Sequence, residues 1–169
     1  MSSTALEFRI TPAESPTQIA QIRELFLEYA KSLGFSLCFQ GFDEELANLP
    51  GDYAPPEGRL FLAECGGQLA GCAALHKSVP GIGEMKRLYL RPAFRGKGLG
   101  RVLAEKIIVE ARAIGYSKLR LDTVEPVMKD AVAMYRRMGF CEVAPYRDNP
   151  MAGTLFMELD LGEAQEKRT

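Results

Sequence analysis

The feature that most constrains this sequence is a short glycine-rich turn that carries three positive charges. Its residues are Arg95, Gly96, Lys97, Gly98, Leu99, Gly100 and Arg101. Pro92 precedes the turn and ends a strand, and Gly115 ends the amphipathic helix that follows it. Glycine permits positive φ angles and a close approach of a ligand to the backbone. The free amide groups at the start of the helix therefore predict an anion site.

The turn fits a diphosphate, but it matches neither of two common phosphate motifs. It has no Gly-x-x-x-x-Gly-Lys-Ser/Thr run, and Leu103 stands where the dinucleotide fingerprint needs a third small residue. Asp122, about twenty residues further on, keeps the dinucleotide alternative open. A basic loop without a ligand also stays open.

The charge distribution is uneven along the chain. Residues 1–85 hold 5 basic and 11 acidic side chains, and residues 86–169 hold 16 basic and 11 acidic ones. The formal net charge is only -1, which argues against general binding to nucleic acid or to an anionic membrane. Six cations and no anion lie between residues 86 and 101, and this predicts a small, dense anion as the ligand. These cations are Lys86, Arg87, Arg91, Arg95, Lys97 and Arg101.

Hydrophobic periodicity predicts a single α/β domain over residues 1–169, with a frayed tail at 162–169. Helices are expected at residues 17–33, 98–114 and 126–138, with Ser15 and Gln18 forming a capping box for the first. Asp43 is expected to cap a short helix in the segment that follows. Strands are expected at residues 60–65, 68–77, 84–91, 118–124, 140–146 and 154–161. Gly66 and Gly67 predict a tight hairpin between the first two strands.

Two motifs in this order resemble the GNAT family of N-acetyltransferases. The first is Arg-x-x-Gly-x-Gly between strand and helix, and the second is Ala-Met-Tyr-Arg-Arg-Met-Gly-Phe about forty residues later. The resemblance covers residues 71–161. It implies an acyl-CoA N-acyltransferase fold, with a twisted, mostly antiparallel sheet, one splayed parallel strand pair and helices on both faces.

The resemblance also implies an activity. The expected reaction moves an acetyl group from acetyl-CoA to a primary amine by direct transfer through a tetrahedral intermediate. The expected acceptor is a small free amine, including amines that bear a carboxylate. A non-catalytic CoA-binding module, transfer of a longer acyl group and a protein amine as acceptor remain open.

Most of the implied cofactor contacts belong to the strand and the turn. Met128 stands where many relatives have Asn, which leaves that contact to backbone groups or Lys129, or unmade. The expected contacts are Leu88, Tyr89, Leu90, Arg95, Gly96, Lys97, Gly98, Leu99, Gly100, Arg101 and Lys129.

Two side chains are implied to act in catalysis. Glu84 lies eleven residues before Arg95, where some relatives have a glutamate as general base. The alternative is a solvated carboxylate paired with Lys86 or Arg87. Tyr135 matches the tyrosine that protonates the leaving sulfur, although a core tyrosine remains the alternative. His76 is interpreted as a surface or packing residue.

The remaining expectations concern the acceptor, metals and partners. Phe35, Phe39, Arg87 and Arg147 are expected to contact the acceptor, the two arginines by binding a carboxylate. No metal is expected, because four scattered cysteines and one histidine lack zinc-ligand spacing. The absence of a signal peptide or a long apolar run predicts a cytoplasmic protein. Family habit and C-terminal strand edges favour a homodimer over a monomer.

Overall fold

The computed structural model describes residues 7–34, 37, 41–126 and 128–162. The strands are β1 (Phe8–Pro12), β2 (Arg59–Cys65), β3 (Gln68–Val79), β4 (Ile82–Leu90), β5 (Lys118–Val124), β6 (Cys141–Val143) and β7 (Thr154–Asp160). The helices are α1 (Pro16–Leu33), α2 (Phe42–Ala47), α3 (Leu99–Ile114) and α4 (Lys129–Arg137). Short 3₁₀ turns cover Gly51–Tyr53 and Pro92–Phe94.

The strands form one mixed sheet in the order β1-β2-β3-β4-β5-β7-β6. Neighbouring strands are antiparallel except for β4 and β5, which are parallel. This arrangement confirms the expected α/β fold, with its mostly antiparallel sheet and one parallel pair. No helix among the described residues is long and apolar enough to cross a membrane.

The parallel pair separates soon after it forms. Its paired residues are Ile82 with Lys118, Gly83 with Leu119 and Glu84 with Arg120. Beyond Glu84, β4 stays with β3 as far as Leu90, and β5 stays with β7 as far as Val124. The register of β3 and β4 shifts between Cys72 and Ala74, where three steps along β4 oppose two along β3. This β-bulge bends β4 away from β5 and confirms the expected splay.

Each face of the sheet carries its own apolar core. Leu103, Ile107 and Ala111 of α3 pack on one face with Met85 and Leu119. On the other face, residues of α1 and α2 pack against β2 and β3; they include Ile22, Leu25, Phe26 and Phe42. Helices therefore cover both faces of the sheet. Charged side chains that lie between the sheet and these helices are in an interior that is otherwise apolar.

The local signals for α1 are confirmed. The backbone N–H of Gln18 donates to Ser15 Oγ at 3.1 Å, and the Ser15 N–H donates to Gln18 Oε1 at 3.0 Å. Gly34 ends the helix with φ of 73°. The short helix α2 differs from its prediction: Gly41 is the N-cap residue, and Asp43 lies inside the first turn.

The other differences are in element boundaries. The predicted loop at residues 78–83 is a tight turn at Pro80 and Gly81, because β3 extends to Val79 and β4 begins at Ile82. Helix α4 begins at Lys129 rather than at Pro126, and just before it the Met128 N–H donates to Val124 O at 3.0 Å. The strand predicted at residues 140–146 has only three residues. Strand β1 was not predicted.

Candidate functional site

A cleft of about 550 Å³ lies where β4 and β5 separate. Residues 85–90 of β4 and 121–124 of β5 line its two sides, and the start of α4 lines it as well. Among the described residues, the backbone of β4 has no strand partner along this side beyond Glu84. Its polar groups are therefore available to form hydrogen bonds with an extended ligand, which would pair with β4 as a further strand would.

The glycine-rich turn lies next to this cleft and presents a bare helix start. Gly96 has φ of 78° and Gly98 has φ of 80°. Gly98 is the N-cap of α3, and no side chain caps the helix there. The first amide groups of α3 thus lack a side-chain acceptor and fit an anionic group, as the sequence predicts.

Arg95 connects the turn to the cleft. Its side chain lines the cleft, its Nε donates to Leu90 O at 2.9 Å, and its guanidinium lies 5.6 Å from the centre of the Tyr89 ring. This geometry places one full positive charge in the cleft, at the end of β4.

The interpretation of the cation run as a single anion site is too broad. Three of its six members form ion pairs with carboxylates elsewhere in the chain. These pairs are Arg87 with Glu45, Arg91 with Glu24 and Glu28, and Arg101 with Glu105. Lys86 lies buried in the cleft, where burial and then the charge of Arg87 lower its pKa to about 8.

Glu84 lies at the point of separation and is fully buried, with 0% of its surface exposed. Its Oε1 lies 2.7 Å from His76 Nε2. Its Oε2 accepts a hydrogen bond from the Tyr146 hydroxyl at 2.8 Å and another from the Arg147 guanidinium. The partners of this carboxylate come from β3 and from the loop before β7, so Glu84 ties three parts of the chain together.

The alternative of a solvated Glu84 paired with Lys86 or Arg87 is therefore wrong. The general-base role of Glu84 stays a prediction. The interpretation of His76 as an ordinary surface or packing residue missed its contact with Glu84. The turn position alone would place His76 opposite Met85, and a register shift between Lys77 and Val79 brings it opposite Glu84 instead.

The neutral form of His76 is favoured. Burial, and then the charges of Lys86 and Arg147, lower the pKa of His76 to about 4. Because the Arg147 guanidinium already balances the charge of Glu84, a neutral imidazole that donates its Nε2–H satisfies the pair.

Tyr135 lies on α4 and lines the cleft, where it is buried. Burial raises the pKa of its phenol, so the hydroxyl keeps its proton at neutral pH. Among the residues that the structure describes, none hydrogen-bonds to this hydroxyl. A protonated phenol facing the cleft is the arrangement that an acid requires, and the acid role of Tyr135 stays a prediction.

The structure distributes the other predicted residues as follows. Leu88, Tyr89, Leu90 and Lys129 line the cleft, as does Met128. Arg87 also lines it, but its Nε and one terminal nitrogen donate to Glu45 at 2.9 and 3.0 Å. Arg147 is held by Glu84. Phe35 and Phe39 lie outside the described residues.

Sequence reasoning considered Asp122 of β5 only as the acidic residue of the dinucleotide alternative, and it gave no role to Asn149 of the loop before β7. Both line the cleft, and Asn149 Nδ2 lies 3.3 Å from Asp122 Oδ2. Asp122 sat among the predicted residues of a buried strand, and the contact with Asn149 joins residues 27 apart. No local sequence pattern predicts such a contact.

Comparisons with known proteins give a consistent result. The model of the acetyltransferase (GNAT) family matches residues 19–140. An uncharacterized N-acetyltransferase of Schizosaccharomyces pombe is 37% identical over 156 residues, which cover 91% of this chain and 95% of that protein. A GNAT acetyltransferase structure from Staphylococcus aureus has a TM-score of 0.75 at 17% identity, covering 92% of this chain and 99% of that one. A Salmonella typhimurium structure with its cofactor acetyl-CoA has a TM-score of 0.64 at 20% identity, covering 92% and 95%.

Proposed function

Because this chain belongs to the acetyltransferase (GNAT) family, we propose that it transfers the acetyl group of acetyl-CoA to the primary amine of a small molecule. The observation that carries the proposal is the cleft between the separated strands, with an uncapped helix start beside it. An extended thioester with a diphosphate matches the shape and charge of this cleft.

The cofactor would be held mainly by backbone groups. The amide groups of Gly98, Leu99 and Gly100, at the start of α3, would bind the diphosphate, with Arg95 adding its charge. The unpaired backbone of residues 85–90 would hydrogen-bond the pantetheine arm. Lys129, at the start of α4, lines the cleft and would add a further positive charge.

When bound, acetyl-CoA supplies an acetyl group activated as a thioester. A backbone N–H near Leu88 would donate to the carbonyl oxygen, where negative charge develops during attack. Tyr135, whose pKa burial raises, would donate its proton to the departing sulfur. These two contributions stabilise charge on the oxygen and on the sulfur.

The acceptor enters from the face of the sheet that carries α1 and α2. On that face the cleft has charged groups of both signs, including Lys86 and Asp122. Such a lining suits a small polar amine, including one with a carboxylate. We therefore propose a small, amino-acid-like amine as the acceptor class. The contact of Arg147 with the acceptor stays a prediction, since its guanidinium is paired with Glu84.

The direct test measures release of CoA from acetyl-CoA across a library of amines. The library contains amino acids, polyamines, arylalkylamines, aminoglycosides and peptides with free N-termini. We expect at least one small amine to give saturable turnover and an acetylated product by mass spectrometry. A protein that is silent with every amine and with longer acyl thioesters would contradict the proposal.

The role of Tyr135 is tested by Tyr135→Phe, with Tyr116→Phe as the matched control. We expect Tyr135→Phe to lower kcat by about 10²-fold, the low end for loss of a general acid. Tyr116 is also buried, and its hydroxyl donates to Glu57 O at 2.6 Å, but it does not line the cleft. Its variant should keep kcat within about twofold. Equal kcat values for the two variants would remove Tyr135 from the chemistry.

A further inference from the structure

The amine must lose a proton before it attacks, and two carboxylates lie near the point where the strands separate. Glu84 pairs in register with Arg120 of β5, and Asp122 is two residues beyond Arg120. Side chains two apart on a strand share a face. Glu84 and Asp122 therefore lie on the same face of the sheet, on the two strands that form the cleft.

The two carboxylates differ in what can reach them. Both oxygens of Glu84 already accept hydrogen bonds, from His76, Tyr146 and Arg147, and the side chain has no exposed surface. A general base must come within hydrogen-bond reach of the substrate or of one bridging water. The surroundings of Glu84 occupy the positions that an amine or a water would need.

Asp122 is open to the cleft. It is half-buried and lines the cavity, and Asn149 holds its Oδ2. No described residue donates to its Oδ1. Asp130 is the other acidic residue in the described lining, and it lies exposed on α4. The thioester would lie between β4 and β5, and Asp122 is thus the carboxylate that lines the cleft from these two strands.

The groups facing Asp122 come from several elements. Tyr29 of α1, Lys86 of β4 and Tyr146 of the loop before β7 all interact with its charge. Lys129 and Asp130 line the same cleft from α4, and Arg120 precedes it on β5. Burial, and then the charge of Arg87, lower the pKa of Lys86 to about 8, so part of the positive charge opposite Asp122 is lost in mildly alkaline solution.

We propose that Asp122, positioned by Asn149, binds the ammonium group of the acceptor and takes its proton. In this arrangement Glu84 is a positioning residue, which anchors Tyr146 and Arg147 in the loop that also carries Asn149. The inference rests on the proposed acetyl transfer and names the residue that prepares the amine for it.

The proton and bond balance is complete with the amine, the thioester, Asp122 and Tyr135. One ammonium proton goes to Asp122 and from there to solvent through the open cleft. The freed nitrogen forms a bond to the acetyl carbon, and the carbon–sulfur bond of the thioester breaks. The sulfur takes a proton from Tyr135, and the second proton lost by nitrogen restores the phenol.

The test compares Asp122→Asn, Asp122→Glu and Glu84→Gln with the parent, using the amine that gives the highest kcat/KM in the library. We expect Asp122→Asn to lower kcat at pH 7.5 by about 10²- to 10³-fold. Its kcat/KM for the amine should then rise about tenfold per pH unit below the pKa of the amine, because the amine must lose its proton before it binds. Asp122→Glu should keep the pH profile of the parent with a lower kcat.

Glu84→Gln serves as the positioning control. We expect it to raise the KM for the amine about tenfold and to leave the pH dependence of kcat/KM as in the parent. Calorimetry with acetyl-CoA confirms that each variant is folded. A parent inactive with all amines overturns the proposed function. An active parent with an Asp122→Asn variant that keeps its rate and pH profile overturns only this inference, as does a Glu84→Gln variant that acquires the pH-dependent rise.

Discussion

Arg87 combines a rare backbone conformation with a buried charge. Its φ of 58° lies in the left-handed region, which a residue with a Cβ seldom adopts. Its guanidinium makes two hydrogen bonds to Glu45 and lies 5.1 Å from the centre of the Phe42 ring. These contacts hold the side chain against α2 and stabilise the bulge from which the cleft begins.

Replacing Arg87 by Ala should therefore destabilise the fold. Removing one partner leaves Glu45 without its ion pair, and such a loss costs roughly 3 kcal/mol or more. Denaturant unfolding measures the change. Arg101→Ala is the control, because its pair with Glu105 is exposed, and it should cost no more than about 0.5 kcal/mol. A double-mutant cycle of Arg87 with Glu45 should show strong coupling, and additive changes would contradict this account.

The single histidine of the chain allows a direct test of the Glu84 cluster. His76 has its pKa lowered to about 4, chiefly by burial. Its imidazole signals in an NMR titration should stay those of the neutral ring from pH 8 down to about pH 5.5. Titration near pH 6.5, the value of a solvated histidine, would mean that the imidazole is charged within the cluster.

The same shift predicts the direction of a pH effect on stability. The unfolded chain binds a proton on His76 below about pH 6.5, whereas the folded chain does so only near pH 4. This contribution to the free energy of unfolding is present above pH 6.5 and is lost as the pH falls toward 4. His76→Gln should flatten this part of the curve. An unchanged curve would mean that other groups cause the loss.

At the scale of elements, the hairpin of β3 and β4 determines which side chains meet. The sequence predicted both strands but placed a six-residue loop between them, so His76 and Glu84 were not seen as neighbours. Val79 and Ile82 extend the pairing because β-branched residues favour strands even near a turn. A register shift between Lys77 and Val79 then places His76 opposite Glu84, and no local pattern in the sequence predicts this shift.

The ends of the helices were more predictable than the partners of the charges. Ser15 with Gln18, Gly34 and Gly115 are local signals, and each acts within a few residues of its position. The ion pairs of Arg87 and Arg91 reach residues more than forty positions away. Such pairs depend on how α1 and α2 pack on the sheet, and no local pattern encodes that packing.

The two ends of α3 offer a matched pair of glycine variants. Gly98 and Gly115 flank the same helix with φ of 80° and 105°, and neither position has an atom within 4 Å of an added Cβ. Alanine at either should cost about 1–2 kcal/mol of stability from the left-handed conformation. Only Gly98→Ala should raise the KM for acetyl-CoA, because only Gly98 lies at the turn. Equal KM values of the two variants for acetyl-CoA would contradict diphosphate binding at the glycine-rich turn.

For the whole molecule, the uneven charge of the sequence has an internal use. Carboxylates from the first half meet cations of the second half, as in the pairs of Glu45 with Arg87 and Glu28 with Arg91. Arg59 and Glu110 form the reverse pair. Part of the positive charge of residues 86–101 thus holds α1 and α2 on the sheet, and a smaller part is left for a ligand.

Acetyl-CoA should stabilise the whole fold, because it would contact both strands that separate. Ligand at about one hundred times its Kd adds about 2.7 kcal/mol. For a chain of this size, such a gain raises Tm by about 5–10 °C in thermal denaturation. Pantetheine, which lacks the diphosphate, should give a much smaller shift at the same concentration. An equal shift would remove the glycine-rich turn from the binding site.

The homodimer stays a prediction at this scale. The edges of the sheet are β1 and β6, and β6 has three residues, of which Cys141 and Glu142 are exposed. Light scattering coupled to size exclusion gives the mass in solution directly. A mass of 18.7 kDa would contradict the expected dimer.

The position at which β4 and β5 separate is fixed by the fold. Glu84 is the last residue of β4 that pairs with β5, and its carboxylate contacts His76, Tyr146 and Arg147. Just beyond it, the bulge at Arg87 puts β4 out of step with any straight neighbour. These two features fix the residue at which β4 and β5 stop pairing. The width of the cleft that receives the thioester is therefore set by the fold before any ligand binds.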